Sequence, residues 1–182
     1  MKGLPGLAVK ALAKPKRNCD NSNEGKKVTV MPYRRKKRIA VIGGTAAGQK
    51  FLDMAFEVGR RIAQNDAVLV CGGLSGVMEA AARGAKEAGG LTVGILPGEK
   101  PDAANPFIDI PIATGLGYTR NALVVMNADV LIAINGSYGT LSEIAYGRVH
   151  ERTVIGLGTW DIPGVIQVDT PEEAVRLAMK LS

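Results

Sequence analysis

D-V-L-I-A-I-N-G-S-Y-G-T-L-S-E, residues 129–143, runs from an unbroken apolar stretch through two glycines, a serine and a threonine into a segment of helical period. Five successive apolar residues, 130–134, describe a strand buried on both sides, and such strands belong to parallel sheets covered by helices. The glycines then leave backbone room at the corner, Ser137 and Thr140 offer hydroxyls, and the free amides of the following helix point out of its positive end. A phosphate suits that corner.

Working outward, the same punctuation recurs. R-I-A-V-I-G-G, A-V-L-V-C-G-G, L-T-V-G-I-L-P-G, F-I-D-I-P-I-A-T-G, T-V-I-G-L-G and G-V-I-Q-V also read as strands, and most end in glycine. Between the first two, Phe51, Ala55, Val58 and Ile62 recur at helical spacing, which makes one βαβ unit. Residues 77–88 form a second helix whose inner stripe, Ala80, Ala81, Gly84 and Ala85, is small enough for close approach to a sheet. T-P-E-E at 170–173 predicts a final helix opened by a capping box with proline in its first turn. The expected fold is α/β, a Rossmann-like, doubly wound, mostly parallel sheet with helices on both faces. Ligands of such sheets bind beyond the carboxyl ends of the strands.

The chain has 182 residues, 46% of them hydrophobic, which fits one domain with a sizeable core. Its net charge of +6 is unevenly placed: residues 1–38 carry twelve Lys and Arg and two acids, leaving eleven basic and fifteen acidic residues elsewhere. Residues 1–36 therefore read as a basic, flexible arm, and 37–182 as a single, mildly acidic domain. The arm's cations would attract nucleic acid without reading its sequence, but the acidic domain offers no continuation of that surface. No apolar run is long enough for a membrane span and no secretory leader is evident, so the expected location is cytoplasmic. Cys19 and Cys71 form neither a disulfide framework nor a metal-ligand spacing, and without a His, Cys and acid cluster no protein-held metal is expected.

Three corners and one arginine are the candidate site. Gly43, Gly44 and Thr45 follow the first strand, without the spacing of a dinucleotide fingerprint or a P-loop; they serve either a tight exit or a ligand. Gly72, Gly73, Ser75 and Gly76 repeat the arrangement before the second helix. Gly136, Ser137, Tyr138, Gly139 and Thr140 form the opening corner. Glu143, three residues after Thr140, would complete a capping box, and spacing alone favours that cap over a ligand role. Arg120, with Asn121, starts the helix before the 129–134 strand and belongs to the same edge, as a solvated residue or as a bidentate clamp for phosphate.

G-G-L-S-G-V-M-E-A-A-A-R-G-A, V-G-I-L-P-G, T-G-L-G-Y-T-R-N and N-G-S-Y-G-T-L-S-E together resemble the LOG-like family, often mislabelled lysine decarboxylase, and especially its molybdenum cofactor carrier branch. The resemblance implies homo-oligomers, dimers or tetramers, that take a phosphorylated small molecule. In LOG enzymes that molecule is a nucleoside 5′-monophosphate, cleaved at its N-glycosidic bond by a phosphoribohydrolase; in the carrier branch it is a molybdenum cofactor held without transformation. No cofactor is required for either. By the same resemblance Glu143 and Arg120 occupy the catalytic glutamate and arginine positions. Glu143 would steady an oxocarbenium-like ribosyl centre or place water, and Arg120 would hold the substrate or the departing base. Two departures stand out: Asn135-Gly136-Ser137 replaces Pro-Gly-Gly, and Asn121 replaces the lysine after the arginine. A pyridoxal-dependent decarboxylase is excluded on chemistry, because Lys50, Lys86, Lys100 and Lys180 all lie outside the glycine corners. His150, the single histidine, falls near a helix end and reads as a surface residue.

Overall fold

A computed structural model describes residues 35–181. The arm expected over residues 1–36 lies outside the described residues except for Arg35 and Lys36. Seven strands, β1 (Arg38–Gly43), β2 (Val68–Cys71), β3 (Thr92–Leu96), β4 (Ile110–Ala113), β5 (Val130–Ile134), β6 (Thr153–Leu157) and β7 (Val165–Val168), form one sheet. Their order is β4-β3-β2-β1-β5-β6-β7, and every neighbouring pair is parallel. The helices are α1 (Gln49–Gln64), α2 (Val77–Glu87), α3 (Asn121–Met126), α4 (Tyr138–Val149) and α5 (Pro171–Lys180). The Rossmann-like expectation holds, and the sheet is wholly parallel.

Alternate residues of each central strand enter two different cores, as a sheet covered on both faces demands. Ile39, Val41, Leu69, Cys71, Ile132 and Ile134 pack with α1, α2 and α5, whereas Ala40, Ile42, Val70, Leu131 and Ala133 pack with Val124 and Val125 of α3 and Ile144 of α4. The small stripe of α2 turns out to serve a neighbouring helix more than the sheet. A methyl on Gly84 would meet the carbonyl of Phe56, and one on Gly59 would meet the carbonyl of Ala81, so α1 and α2 cross almost backbone to backbone. At the chain's end, Thr170 Oγ1 accepts from the amide of Glu173 at 3.2 Å and Pro171 opens α5, as the T-P-E-E pattern predicts.

Strand order reverses direction at β1, whose two neighbours are β2 and β5. Loops leaving adjacent strands there diverge to opposite faces and leave a crevice between them. The register sets Gly43 beside Ile134, so the corners after β1 and β5 open into that crevice side by side.

Candidate functional site at the carboxyl edge

The corner after β5 is built by two successive residues at positive φ. Asn135 has φ 48° and Gly136 φ 118°, conformations that asparagine tolerates and glycine adopts freely. Thr159 Oγ1 donates to the Asn135 carbonyl at 2.6 Å, and the Asn135 amide donates to Leu157 O at 3.1 Å, so the corner is tied to the end of β6. Ser137 is extended and α4 starts at Tyr138. The amides of Tyr138, Gly139 and Thr140 therefore occupy the first turn, where no intrahelical acceptor exists. Gly139 has open space on the side where a Cβ would stand.

This start corrects the capping-box expectation. Thr140 is already helical, so it cannot be the residue that Glu143 caps, and among the described residues no side chain caps the α4 amides. Glu143 instead turns into the sheet edge, 6% exposed, beside Arg120, which is 7% exposed. Arg120 Nη1 lies 3.9 Å from Glu143 Oε1, too long for a hydrogen bond. The Glu143 carboxyl accepts no hydrogen bond among the described residues. Burial pushes its pKa up to about 8, against the pull of Arg120, so near neutrality the carboxyl is largely protonated. Burial likewise lowers the Arg120 pKa, opposed by Glu143, yet a guanidinium stays charged in this range.

Arg120 is held from two sides. Its Nη1 donates to Asn121 Oδ1 at 2.6 Å and its Nη2 to the Gly72 carbonyl at 3.2 Å, while Nε has no partner. Asn121 in turn donates to Ser142 Oγ at 2.9 Å and Gly139 O at 3.3 Å, and Ser142 donates to Gly139 O at 2.7 Å. The result is a clamp from the guanidinium to the first turn of α4. Asn121 can do this because its amide both accepts and donates; a lysine there could only donate and would set a second cation against Arg120.

A cavity of about 520 Å³ opens over this pair, large enough for a nucleotide-sized ligand. Of the predicted residues it is lined by Gly43, Gly44, Thr45, Arg120, Asn121, Ser137, Tyr138, Gly139, Thr140 and Glu143. Five others do not line it. Gly72 acts through Arg120, because a Cβ on Gly72 would sit 2.5 Å from Nη2. Gly73, at φ 75°, fits against Gly94 and Leu96 of β3. Gly76, at φ 72°, lies against the carbonyls of Gly44 and Thr45, and the Val77 amide donates to Gly44 O at 3.1 Å; these contacts knit the first two corners together. Ser75 is exposed outside the cavity, and Gly136 supports Thr140 from below. Sequence reasoning missed Leu74, Met78, Tyr118 and Ser142, which complete the wall. Tyr118 lies in the same T-G-L-G-Y-T-R-N segment as Arg120 and could have been found from that proximity; Leu74 and Met78 look like ordinary core residues in sequence.

His150 ends α4 on the surface. Among the described residues there is no group of three or more His, Cys, Asp or Glu able to hold a metal ion, and no helix is long and apolar enough to cross a membrane.

An all-parallel sheet with a ligand-sized crevice at its switch point, floored by a buried arginine and glutamate, has the geometry in which open Rossmann-like sheets accommodate ligands. The chain belongs to the SLOG cluster4 family, whose model matches residues 36–180. It is 44% identical over 146 residues to an uncharacterised protein of Archaeoglobus fulgidus, covering 80% of this chain and 96% of that one. It is 31% identical over 114 residues to the rice cytokinin riboside 5′-monophosphate phosphoribohydrolase LOG, covering 59% of this chain and 47% of the enzyme, about half its length. Among solved structures it superposes on the molybdenum cofactor binding protein of Rippkaea orientalis with TM-score 0.77 at 37% identity, covering 81% and 98% of the two chains. For the molybdenum cofactor carrier protein of Chlamydomonas reinhardtii the values are 0.71, 36%, 81% and 98%. The expected LOG-like membership, with carrier proteins as structural neighbours, is thereby shown.

Proposed function

We propose that this protein binds a phosphorylated, nucleotide-like ligand, either a molybdopterin-type cofactor or a nucleoside monophosphate, in the crevice at the carboxyl edge. The observation that carries the reading is the Arg120 and Glu143 pair, buried beneath the first turn of α4 and bordering the cavity. A phosphate on the Tyr138, Gly139 and Thr140 amides gains the helix dipole and their hydrogens. Arg120 adds a positive charge that a neutral Glu143 does not cancel. The ligand is therefore favoured as an anion.

Two features favour holding over hydrolysis. Asn135 at φ 48° takes a path closed to the proline of the LOG motif, whose ring fixes φ near −65°. Asn121 replaces the LOG lysine and uses its side chain to clamp Arg120. The likeness over nearly the full length of the carrier proteins supports the same choice.

The second reading is a phosphoribohydrolase, favoured by Glu143 itself. A carboxyl that keeps its proton to about pH 8 is suited to donate it to a departing base, general acid work that an ordinary glutamate performs poorly at neutral pH. Water would then attack the ribosyl carbon as the glycosidic bond breaks, giving free base and ribose 5-phosphate. Titrating the full chain with AMP and assaying free adenine separates the readings. Saturable binding without adenine supports the carrier. Adenine release that disappears in Glu143→Ala establishes the hydrolase, and absence of binding by AMP, GMP and a molybdopterin-loaded donor together would reject both.

A further inference from the structure

The cavity has unlike ends. At the β5 corner it is lined by Ser137, Tyr138, Gly139 and Thr140, the anion end. Toward β2 and β3 its wall is Leu74, Met78 and Tyr118, none of them charged, with the Arg120 guanidinium held at the Gly72 carbonyl between this wall and the β5 corner. Leu74 and Met78 lie between the end of β2 and the first turn of α2. Tyr118 belongs to a 3-10 turn, Gly117–Arg120, whose first amide donates to Pro97 O at 2.9 Å just beyond β3. This turn is held further by the amides of Thr114 and Gly115, both donating to Gly98 O at 3.0 Å. Tyr118 is thus fixed at its backbone, yet its side chain is bare: the residue is 89% exposed, more than any other large apolar or aromatic residue described. A tyrosine this exposed contributes little to folding, and it borders the cavity.

We propose that Tyr118, with Leu74 and Met78, is a ring subsite that stacks the heteroaromatic group of the phosphorylated ligand and makes the site prefer nucleotide-like molecules over sugar phosphates. The inference rests on the reading above and adds to it which residues choose the ligand. Strands of one sheet lie about 4.8 Å apart, so the ring end over β2 and β3 stands two to three spacings, roughly 10–14 Å, from the β5 corner. That separation requires a spacer such as a ribose between phosphate and ring. Tyrosine and a base share flat, polarisable faces, and stacking of this kind tolerates many bases, so the subsite selects for aromaticity more than for a particular edge. Tyr138 is also exposed, but its ring already faces Trp160, with centroids 6.2 Å apart, and it stands at the anion end.

The experiment is a calorimetric titration of the full chain with AMP, GMP and ribose 5-phosphate, repeated for Tyr118→Ala and Tyr118→Phe with the oligomeric state of each followed by light scattering. The wild type is expected to bind both nucleotides at least about tenfold more tightly than ribose 5-phosphate, within the range of base–aromatic stacking. Tyr118→Ala should remove most of that preference and leave ribose 5-phosphate unchanged; Tyr118→Phe should keep it. Equal affinity of the wild type for all three, with ribose 5-phosphate bound, overturns the ring subsite alone. Equal weakening of all three in Tyr118→Ala, a change in its assembly, or no change at all also overturns it. Failure of the wild type to bind any of the three removes the nucleoside-monophosphate reading and this inference with it.

Discussion

Replacing Glu143 by glutamine tests the electrostatics of the site directly. The folded protein holds the Glu143 proton to about pH 8, whereas an exposed glutamate releases it near 4.5. The folded value is raised, so the group's stabilisation is complete below the unfolded value and is lost as pH rises toward the folded one. Each tenfold change in proton affinity is worth about 1.4 kcal/mol, and the interval between the two values sets a ceiling of about 5 kcal/mol. Glu143→Gln is neutral at every pH and escapes that loss. Urea denaturation of both proteins between pH 5 and 9 should therefore give stability curves that separate in favour of the variant from about pH 5 upward and run parallel above about pH 9.

Other titrating groups do not confuse the comparison. Glu57 is held below the usual carboxylate range, chiefly by a hydrogen bond from Arg60, so its contribution disappears only as pH falls below that range. Cys71, pushed up to about 12 by burial, stays a thiol throughout. Both are common to the two proteins and cancel in the difference. In thermal unfolding, a domain of this size moves by about 2–4 °C per kcal/mol, so the gap at alkaline pH reaches about 10–20 °C at the ceiling. A gap that stays constant from pH 5 to 9 would mean that Glu143 ionises like an exposed acid. The neutral carboxyl, and with it the general-acid reading, would then be wrong.

If Glu143 becomes a carboxylate beside the phosphate, AMP affinity should decline as pH rises through about 8, and calorimetry at pH 7 and 9 measures it; unchanged affinity would place the phosphate away from the pair. Gly72→Ala should weaken AMP binding tenfold or more through displaced Nη2 of Arg120, with the circular dichroism spectrum retained, because the new methyl meets a side-chain terminus that Asn121 already pins. Gly84→Ala should cost about 1–3 kcal/mol in urea titration, since its methyl meets the Phe56 backbone and α1 and α2 must separate. Thr170→Ala should cost about 1 kcal/mol by the same measurement through the lost α5 cap.

The parallel sheet was readable because most of its strands are short apolar runs closed by a glycine or proline, and the two-sided burial of the central strands β1, β2, β5 and β6 leaves no alternation there to mislead. The corners of the crevice were readable for the same reason. What sequence spacing could not supply was the register at which α4 begins. T-L-S-E fits a capping box as written, but the positive φ of Asn135 and Gly136 and the extended Ser137 start the helix at Tyr138. A three-residue advance of that kind rotates Glu143 from a cap into the interior. One backbone corner thereby converts a solvated carboxylate into a buried acid facing Arg120. Tertiary placement also made a clamp of Asn121, whose partners come from Gly139 and Ser142 of another helix, and a cavity wall of Tyr118, whose turn is fixed by β3. These roles depend on strand order, which places β2, β1 and β5 side by side although they are far apart in the chain. The chemistry of the site is therefore a property of the switch point: the amides, the guanidinium and the neutral carboxyl converge only because neighbouring strands send their chains to opposite faces there.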